Sequence, residues 1–333
     1  MVTERAPSIR DVAALAEVSH QTVSRVLNEH PSIRPATKQR VLDAMAALDY
    51  RPNASARALA TSRTGAIGVL AAESAHYGPA SSMQAIEAAA REAGYFVSET
   101  NVDGTDPSSI ERGLRRLLDQ NVEGLVVIAP QLRVLEVIAG MRFSVPYVTL
   151  QSAGETEDHS YSVDQVAGAR LATRHLIELG HRRILHLAGP QDWIEAAARQ
   201  RGYFAELAAH GLEATSPILG DWTAACGYRV GLDILGPVGA GAIFSSNDQM
   251  ALGLLHAAHE LGVRVPDDLS IVGFDDVPEA AHYWPPLTTV RQDFRELGRR
   301  CVALLLGELD AGRTGYSGRI QPELVVRSST TAP

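Results

Sequence analysis

Cysteine is almost absent from this sequence: Cys226 and Cys301 are the only two in 333 residues. Two isolated thiols exclude a disulfide framework and a cysteine-based metal site. Both read as reduced, packed side chains. Long apolar runs are missing as well. No stretch of about 18 apolar residues is available to span a bilayer. The opening MVTERAPSIRDVA lacks the apolar core of roughly 7–15 residues that a signal peptide requires. A cytoplasmic location is therefore expected. Catalytic signatures are missing too. There is no G-x-S-x-G elbow and no Cys–His constellation. Gly236-Pro-Val-Gly-Ala-Gly is not followed by Lys and Ser/Thr, so it is no phosphate loop. His175, His181 and His186 lack carboxylate or thiol support and read as structural or solvated, not as metal ligands. No aspartates pair at a spacing that demands acid–base work. The expectation is a non-enzyme with no cofactor and no metal.

Lysine is the last scarcity: Lys38 stands alone, so positive charge falls to arginine. What is present is ordinary for a globular chain, at 45% hydrophobic and 21% charged residues. The length suits two or three domains. The net charge of −9 is unevenly divided. Residues 1–64 hold nine Lys or Arg against six Asp or Glu, a net of +3; the remainder holds 21 against 33, a net of −12. A basic head on an acidic body suits a head that meets phosphate while the body stays off it.

Residues 1–49 predict three short helices. Ser8 opens S-I-R-D, a capping-box-like start, and Ile9, Val12, Ala13 and Ala16 follow at helical spacing. After the break Glu17-Val18-Ser19, Ser19 can cap a second helix, in which Val23, Val26 and Leu27 fall on one side. Gln21, Arg25 and Asn28 occupy the opposite side. A third helix follows Pro35, with Val41, Ala44, Met45 and Leu48 on its apolar face. Two short helices joined by a tight turn make a helix-turn-helix, whose second helix enters a major groove. Arg25 is suited to guanine, Gln21 to adenine, and His20 is a third candidate base reader. Thr22, Ser24 and Asn28 suit phosphates. On composition alone, a plain three-helix bundle with a solvated face fits equally well. Residues 50–64 predict a linker. Asn53 can cap A-S-A-R-A-L-A, about eight residues that cannot hold a helix alone in water. Ala56, Leu59 and Ala60 share a face there.

From residue 65 to 333, short β-rich runs alternate with helical stretches. The runs are Ile67–Ala71, Tyr95–Glu99, Leu125–Ala129, Tyr147–Leu150, Ile184–Leu187, Ala242–Phe244 and Leu269–Phe274. Met83–Glu92, Gln165–Leu179 and Asp248–Leu261 read as helices. That alternation predicts parallel sheets with helices on both faces. The length predicts two α/β subdomains with a cleft between them.

The stretch D-V-A-A-L-A-E-V-S-H-Q-T-V-S-R-V-L-N, Asp11 to Asn28, resembles the head of the LacI/GalR family of repressors. The resemblance continues through Y-x-P-N-x-x-A-x-x-L-A from Tyr50, L-A-G-P at 187–190, G-D-W at 220–222, S-N-D-Q-M-A-L-G at 246–253, V-G-F-D-D at 272–276 and P-P-L-T-T-V-R-Q-D-F at 285–294. It is closest in motif to the family's lac branch. It implies a hinge helix that folds on the operator, with Asn53, Ala56 and Leu59 at the DNA and Leu59 as a minor-groove wedge. An incidental leucine in a tether is the plainer alternative. It also implies a body like the periplasmic sugar-binding proteins, with three chain crossovers. The first subdomain would take about 65–163 and 294–323, the second about 164–292 and 324–329.

A sugar presents an apolar C–H face and hydroxyls that both donate and accept. Its site needs an aromatic plate and paired polar groups. Trp222 is a credible plate; Arg199, Asn247 and Asp275 are donor-only, mixed and acceptor-only partners. All four lie at strand ends or helix starts, where α/β sheets bind ligands. The resemblance places the same four at inducer-contacting positions and adds Gln292, Phe294, Pro79, Ala72 and His76. Gln151 stands where the lac branch has Asp, and Glu195 replaces a small polar residue. The plainer alternatives are a packed Trp222, a solvated turn at Asp275-Asp276 and a merely capping Asn247. The resemblance implies a homodimeric repressor of a sugar-utilisation operon, released from palindromic double-stranded operator DNA by a sugar, a galactoside first. A purine or another sugar, acting as co-repressor, is the alternative ligand. Outside the family, a periplasmic-type binding protein and a sugar enzyme remain open. The last residues, S-S-T-T-A-P, carry no leucine heptads, so a dimer is expected and not a tetramer.

Overall fold

The computed structural model describes residues 7–27, 30, 32–50, 63–72, 74–150, 159–238, 241–311 and 318–333. The chain forms two compact units, Met1–Gly65 and Ala66–Pro333. Asn28, Asn53, Ala56, Leu59, Gln151 and the expected hinge helix lie outside the described residues. Among the described residues, no helix is long and apolar enough to cross a membrane, and no cluster of His, Cys, Asp or Glu could hold a metal ion.

The first unit contains α1 (Ile9–Leu15), α2 (His20–Leu27) and α3 (Pro35–Ala47). Each begins where its sequence offers a start signal. The Ser8 backbone N–H donates to Asp11 Oδ2 at 2.7 Å, and the Thr22 N–H donates to Ser19 Oγ at 3.1 Å. Pro35 opens α3, where its missing N–H costs nothing. Glu17 makes the turn between α1 and α2 at φ 53°. Val12, Ala13, Ala16, Val23, Val26, Val41 and Ala44 close into one small core.

The second unit holds two sheets. β1 (Ala66–Ala72), β2 (Phe96–Val102), β3 (Gly124–Ile128) and β4 (Tyr147–Thr149) form the first, in the parallel order β2-β1-β3-β4. The second contains β6 (Ile184–Ala188), β7 (Ile218–Leu219), β8 (Ala242–Ser245), β9 (Ser270–Asp275), β10 (Thr288–Arg291) and β12 (Glu323–Val325). Its order is β12-β10-β9-β8-β6-β7, with β12 alone antiparallel. β5 (Tyr161–Val163) pairs with β11 (Gly318–Ile320) in a separate ribbon.

Strands buried on both faces explain the continuously apolar runs, and the edge strand β2, with no fully buried residue, is the exception. Successive residues enter opposite cores. Ile67, Val69, Ala71, Val126 and Ile128 pack against α4 (Tyr77–Glu92) and α11 (Phe294–Ala311). Ala66, Leu70, Leu125 and Val127 pack against α5 (Pro107–Asp119) and α6 (Leu132–Ala139). In the second sheet, Phe244, Val272 and Phe274 meet α7 (Gln165–Glu178) and α8 (Ile194–Ala209). Leu187, Ile243 and Ile271 meet α10 (Asp248–Glu260), which packs on α9 (Ala224–Val238). The chain passes between the two lobes three times, after β5, after β10 and after β11.

The structure departs from the sequence expectation in one helix start and in several short strands, for local reasons. The helix read as Met83–Glu92 starts at Tyr77. Gly78 and Pro79 look like helix breakers, yet both sit in the first turn, which needs no N–H donors. Strands β5, β10, β11 and β12 have three or four residues each, too short to announce themselves by periodicity.

Candidate ligand cavity and nucleic-acid interface

Within the second unit a cavity of about 110 Å³ opens between the lobes. One wall carries His76, Pro79 and Phe294; the other carries Arg199, Trp222, Asn247, Asp275 and Gln292. Eight of the sequence-expected residues thus meet in one place. Ala72 is buried in β1 and is not part of the lining. Glu195 is. Gln165 and Trp193 line the cavity as well, and sequence reasoning missed both.

The polar side of the cavity is a closed ring of hydrogen bonds. Arg199 Nε donates to Gln165 Oε1 at 2.9 Å, and Gln165 Nε2 donates to Gln292 Oε1 at 2.7 Å. Gln292 Nε2 donates to Asp275 Oδ1 at 2.7 Å, and Arg199 Nη2 reaches the same oxygen at 3.4 Å. Arg199 Nη1 donates to the Ser246 carbonyl. Its guanidinium lies 3.9 Å from the Phe274 ring centroid and 5.5 Å from that of Trp222. Four side chains from α7, α8 and the ends of β9 and β10 thereby fix one another.

Burial dominates the electrostatics. It pushes the Asp275 carboxyl up to about 6, although Arg199 and Gln292 pull the other way. It also lowers the Arg199 guanidinium against the attraction of Asp275. Both partners agree that desolvation exceeds their mutual attraction. Asp248, at the start of α10, is raised well above the usual carboxylate range by burial and by Asp275. It accepts from Thr289 Oγ1 at 2.6 Å and from the Val277 N–H at 2.9 Å, holding the turn after β9. His186 is pushed down to about 4 by burial and is neutral, stacked between Tyr203 and Phe244 behind Arg199.

The backbone is strained at the same spot. Trp222, Asp275 and Asp276 adopt φ of 70°, 108° and 52°. Such conformations persist only where the surroundings impose them, and they cluster at ligand sites. The glycine of L-A-G-P has a visible purpose: a Cβ on Gly189 would lie 2.1 Å from the Trp222 ring. Asn247 caps α10 through Oδ1 to the Met250 N–H at 2.9 Å, and spends both Nδ2 protons on the Trp222 carbonyl and Gln249. Only a lone pair on Oδ1 is left for a ligand.

Asp275 supplies a pH prediction. A carboxyl group accepts hydroxyl protons far more strongly when ionised, because the charge strengthens each bond. Affinity for a hydroxylated ligand is therefore full above the folded pKa of about 6 and lost as pH falls through it. Isothermal titration should show Kd rising about tenfold from pH 7 to pH 5. In Asp275→Asn that slope should vanish; an unchanged slope would assign the effect elsewhere.

In the head, His20, Gln21 and Arg25 are exposed on α2, while Val23 and Val26 are buried beneath them. Thr22 and Ser24 are half-buried on its flanks, with Thr22 Oγ1 2.9 Å from Ser19 Oγ. The exposed stripe is free to meet a groove.

A helix-turn-helix head on a two-lobed body with a polar, aromatic cleft defines a ligand-responsive DNA-binding regulator. Residues 8–53 match the bacterial regulatory proteins of the lacI family, and residues 173–330 match the periplasmic binding protein-like domain. The lactose operon repressor of Escherichia coli (strain K12) is 36% identical over 330 residues, spanning 98% of this chain and 91% of that protein. The HTH-type transcriptional regulator CelR of Thermobifida fusca is 34% identical over 348 residues, spanning 99% of this chain and 100% of that one. The solved lac repressor dimer bound to operator and the anti-inducer ONPF superposes with a TM-score of 0.90 at 34% identity, covering 98% of this chain and 100% of that chain. The chain belongs to the lacI family and is a DNA-binding transcriptional regulator, not an enzyme.

Gln165 and Trp193 carry only a positional signal in the sequence. Gln165 follows Asp164, whose Oδ1 caps α7 by accepting from the Ala167 N–H at 2.8 Å. Trp193 follows the end of β6. Both lie at carboxyl ends of strands, the expected rim of an α/β site.

Proposed function

We propose that this protein is a cytoplasmic repressor that sits as a homodimer on a palindromic operator and is released when a sugar fills its cleft. The observation that carries the sugar reading is the pairing of the Arg199–Gln165–Gln292–Asp275 ring with Trp222 in one cavity. It offers donors, acceptors and an apolar plate within reach of one pyranose. A galactoside is the leading ligand, supported by the motif likeness to the lactose operon repressor. The dimer reading draws on the solved lac repressor dimer and on Trp284, which is 91% exposed on this chain. A large side chain left so bare suits burial against a second copy. Sugar and operator then bind antagonistically, each weakening the other by the same factor.

Titration of operator DNA with and without lactose, isopropyl thiogalactoside or a purine base tests the reading. Operator affinity should fall about tenfold or more at saturating galactoside. Unchanged affinity with both galactosides would sink the ligand assignment, and tightening by the purine would reverse the regulatory sign.

A further inference from the structure

Gln165 stands inside a hydrogen-bond line whose two ends have fixed polarity. Arg199 carries only donors, and an ionised Asp275 only acceptors. Between them lie two primary amides, which carry both. The 2.9 Å contact from Arg199 Nε requires the oxygen of Gln165 to face it, which leaves Gln165 Nε2 for Gln292 at 2.7 Å. The oxygen of Gln292 accepts there, so its own Nε2 meets Asp275 Oδ1 at 2.7 Å. Turning either amide over would set two oxygens, or two N–H groups, against each other at hydrogen-bond distance. The orientation of both amides is thus dictated from the ends and transmitted through Gln165.

Gln165 also joins what the fold keeps apart. It begins α7 directly after Asp164, whose carboxylate caps that helix. Arg199 lies on α8, Asp275 ends β9 and Gln292 follows β10. The line uses one proton and one lone pair of each amide. One N–H and one lone pair of each remain, and both side chains line the cavity. An N–H beside an oxygen complements a hydroxyl, which donates and accepts at once. An anionic group would leave the two amide oxygens facing negative charge.

We propose that Gln165 is a positioning residue for ligand binding: it locks the amide of Gln292 in one orientation, so that the paired amides present alternating donors and acceptors to hydroxyls. This inference rests on the sugar reading above and assigns that site a residue acting through its neighbours. Shape alone would not preserve the role. The carboxylate of Gln165→Glu has nearly the same outline and still accepts from Arg199, but it cannot donate to Gln292. Gln292 must then drop that contact or turn its oxygen onto Asp275. Two carboxylates would share one guanidinium, so the pair holds a proton to higher pH than either would alone. That proton supplies the missing donor. The defect is therefore largest while the pair is fully ionised and shrinks as pH falls.

Calorimetric titration of the full chain with isopropyl thiogalactoside, methyl β-glucoside and ribose tests it, in the parent, Gln165→Glu and Gln165→Met, at pH 7 and pH 5. For a sugar the parent binds, Gln165→Glu should raise Kd about a hundredfold at pH 7 but about tenfold at pH 5, each against the parent at the same pH. Gln165→Met fills the same space without donor or acceptor and should raise Kd about tenfold at both. The other ionisable groups at the cavity are His76, Tyr77, Asp164, Glu195, Arg201 and Arg319, with Asp248 beside Asp275. They are common to parent and variants and cancel in that ratio. A Gln165→Glu affinity within about threefold of the parent, or a ratio that stays constant between the two pH values, overturns the positioning role and leaves the sugar reading standing. Where Gln165→Glu fails to fold, Gln165→Met alone decides, and a Kd within about threefold of the parent's overturns the role. A parent that binds none of the three sugars overturns the sugar reading, and this inference with it.

Discussion

Replacing Arg199 with leucine is expected to destroy the ligand response and to cost the fold about 3–5 kcal/mol. Both effects have one origin. Arg199 is 5% exposed and satisfies Gln165, Asp275 and the Ser246 carbonyl at once. Leucine keeps much of the volume but removes every donor. Asp275 then keeps Gln292 alone, with its charge buried and uncompensated. Removing one partner of a buried pair is far more damaging than replacing both, because the survivor bears its whole desolvation cost. The ligand loses its charged donor and also the framework that fixes Asp275, so affinity should fall more than about a hundredfold. The pH dependence separates this cause from a generic packing defect. Without Arg199 the folded pKa of Asp275 rises further above about 6, while an unfolded aspartate titrates near 3.8. A carboxyl raised in the folded state favours folding fully below the unfolded value and loses that contribution as pH rises through the folded value. The stability gap between Arg199→Leu and the parent should therefore be widest at pH 7 and should shrink toward pH 4. Denaturant melts at both pH values measure it; a gap that does not narrow would mean packing, not charge, is responsible. Arg199→Lys should not rescue binding, since one ammonium cannot span three partners fixed in different directions.

What the sequence disclosed, and what it withheld, follows from the range of each signal. The α1 and α2 starts were written in local code, because Asp11 accepts the Ser8 N–H and Ser19 Oγ accepts the Thr22 N–H, each three residues away. The central strands of both sheets were visible because two-sided burial leaves apolar runs such as Ala66–Ala72, while the short strands β7, β10 and β12 of the second sheet were not. Arg199, Trp222, Asn247 and Asp275 were singled out by chemistry and by family likeness, and their gathering in one cavity is a tertiary fact that periodicity does not reach. Gln165 shows the limit most plainly. It is an unremarkable glutamine at a helix start until Gln292, 127 residues onward, is brought to 2.7 Å. Trp193 is another such case. As a lone aromatic it reads as core, and only the Gln131 bridge from the other lobe makes it a wall of the cleft. Ala72 erred in the opposite sense: it matched a family position, but in this chain its small side chain is sealed in the sheet.

Removing Arg25 should weaken operator binding without touching the fold. Arg25 is exposed on α2, and the buried residues that hold the helix, Val23 and Val26, face the other way. An arginine forking onto a guanine edge contributes about 1–3 kcal/mol of discrimination, and a two-fold dimer uses it twice. Arg25→Ala should thus cost about 2–6 kcal/mol per dimer, roughly thirtyfold to 10⁴-fold in operator affinity. The decisive quantity is the ratio of operator to scrambled DNA. A base reader lowers that ratio and relaxes preference at one position of each half-site, whereas a phosphate contact lowers both affinities together and flattens the salt dependence. Filter binding of the parent and of Arg25→Ala to operator and scrambled duplexes, across a salt series, tells the two apart. Equal losses on both duplexes would demote Arg25 to a backbone contact. The burden of sequence reading would then fall on Gln21 and His20, the other exposed residues of the same helix.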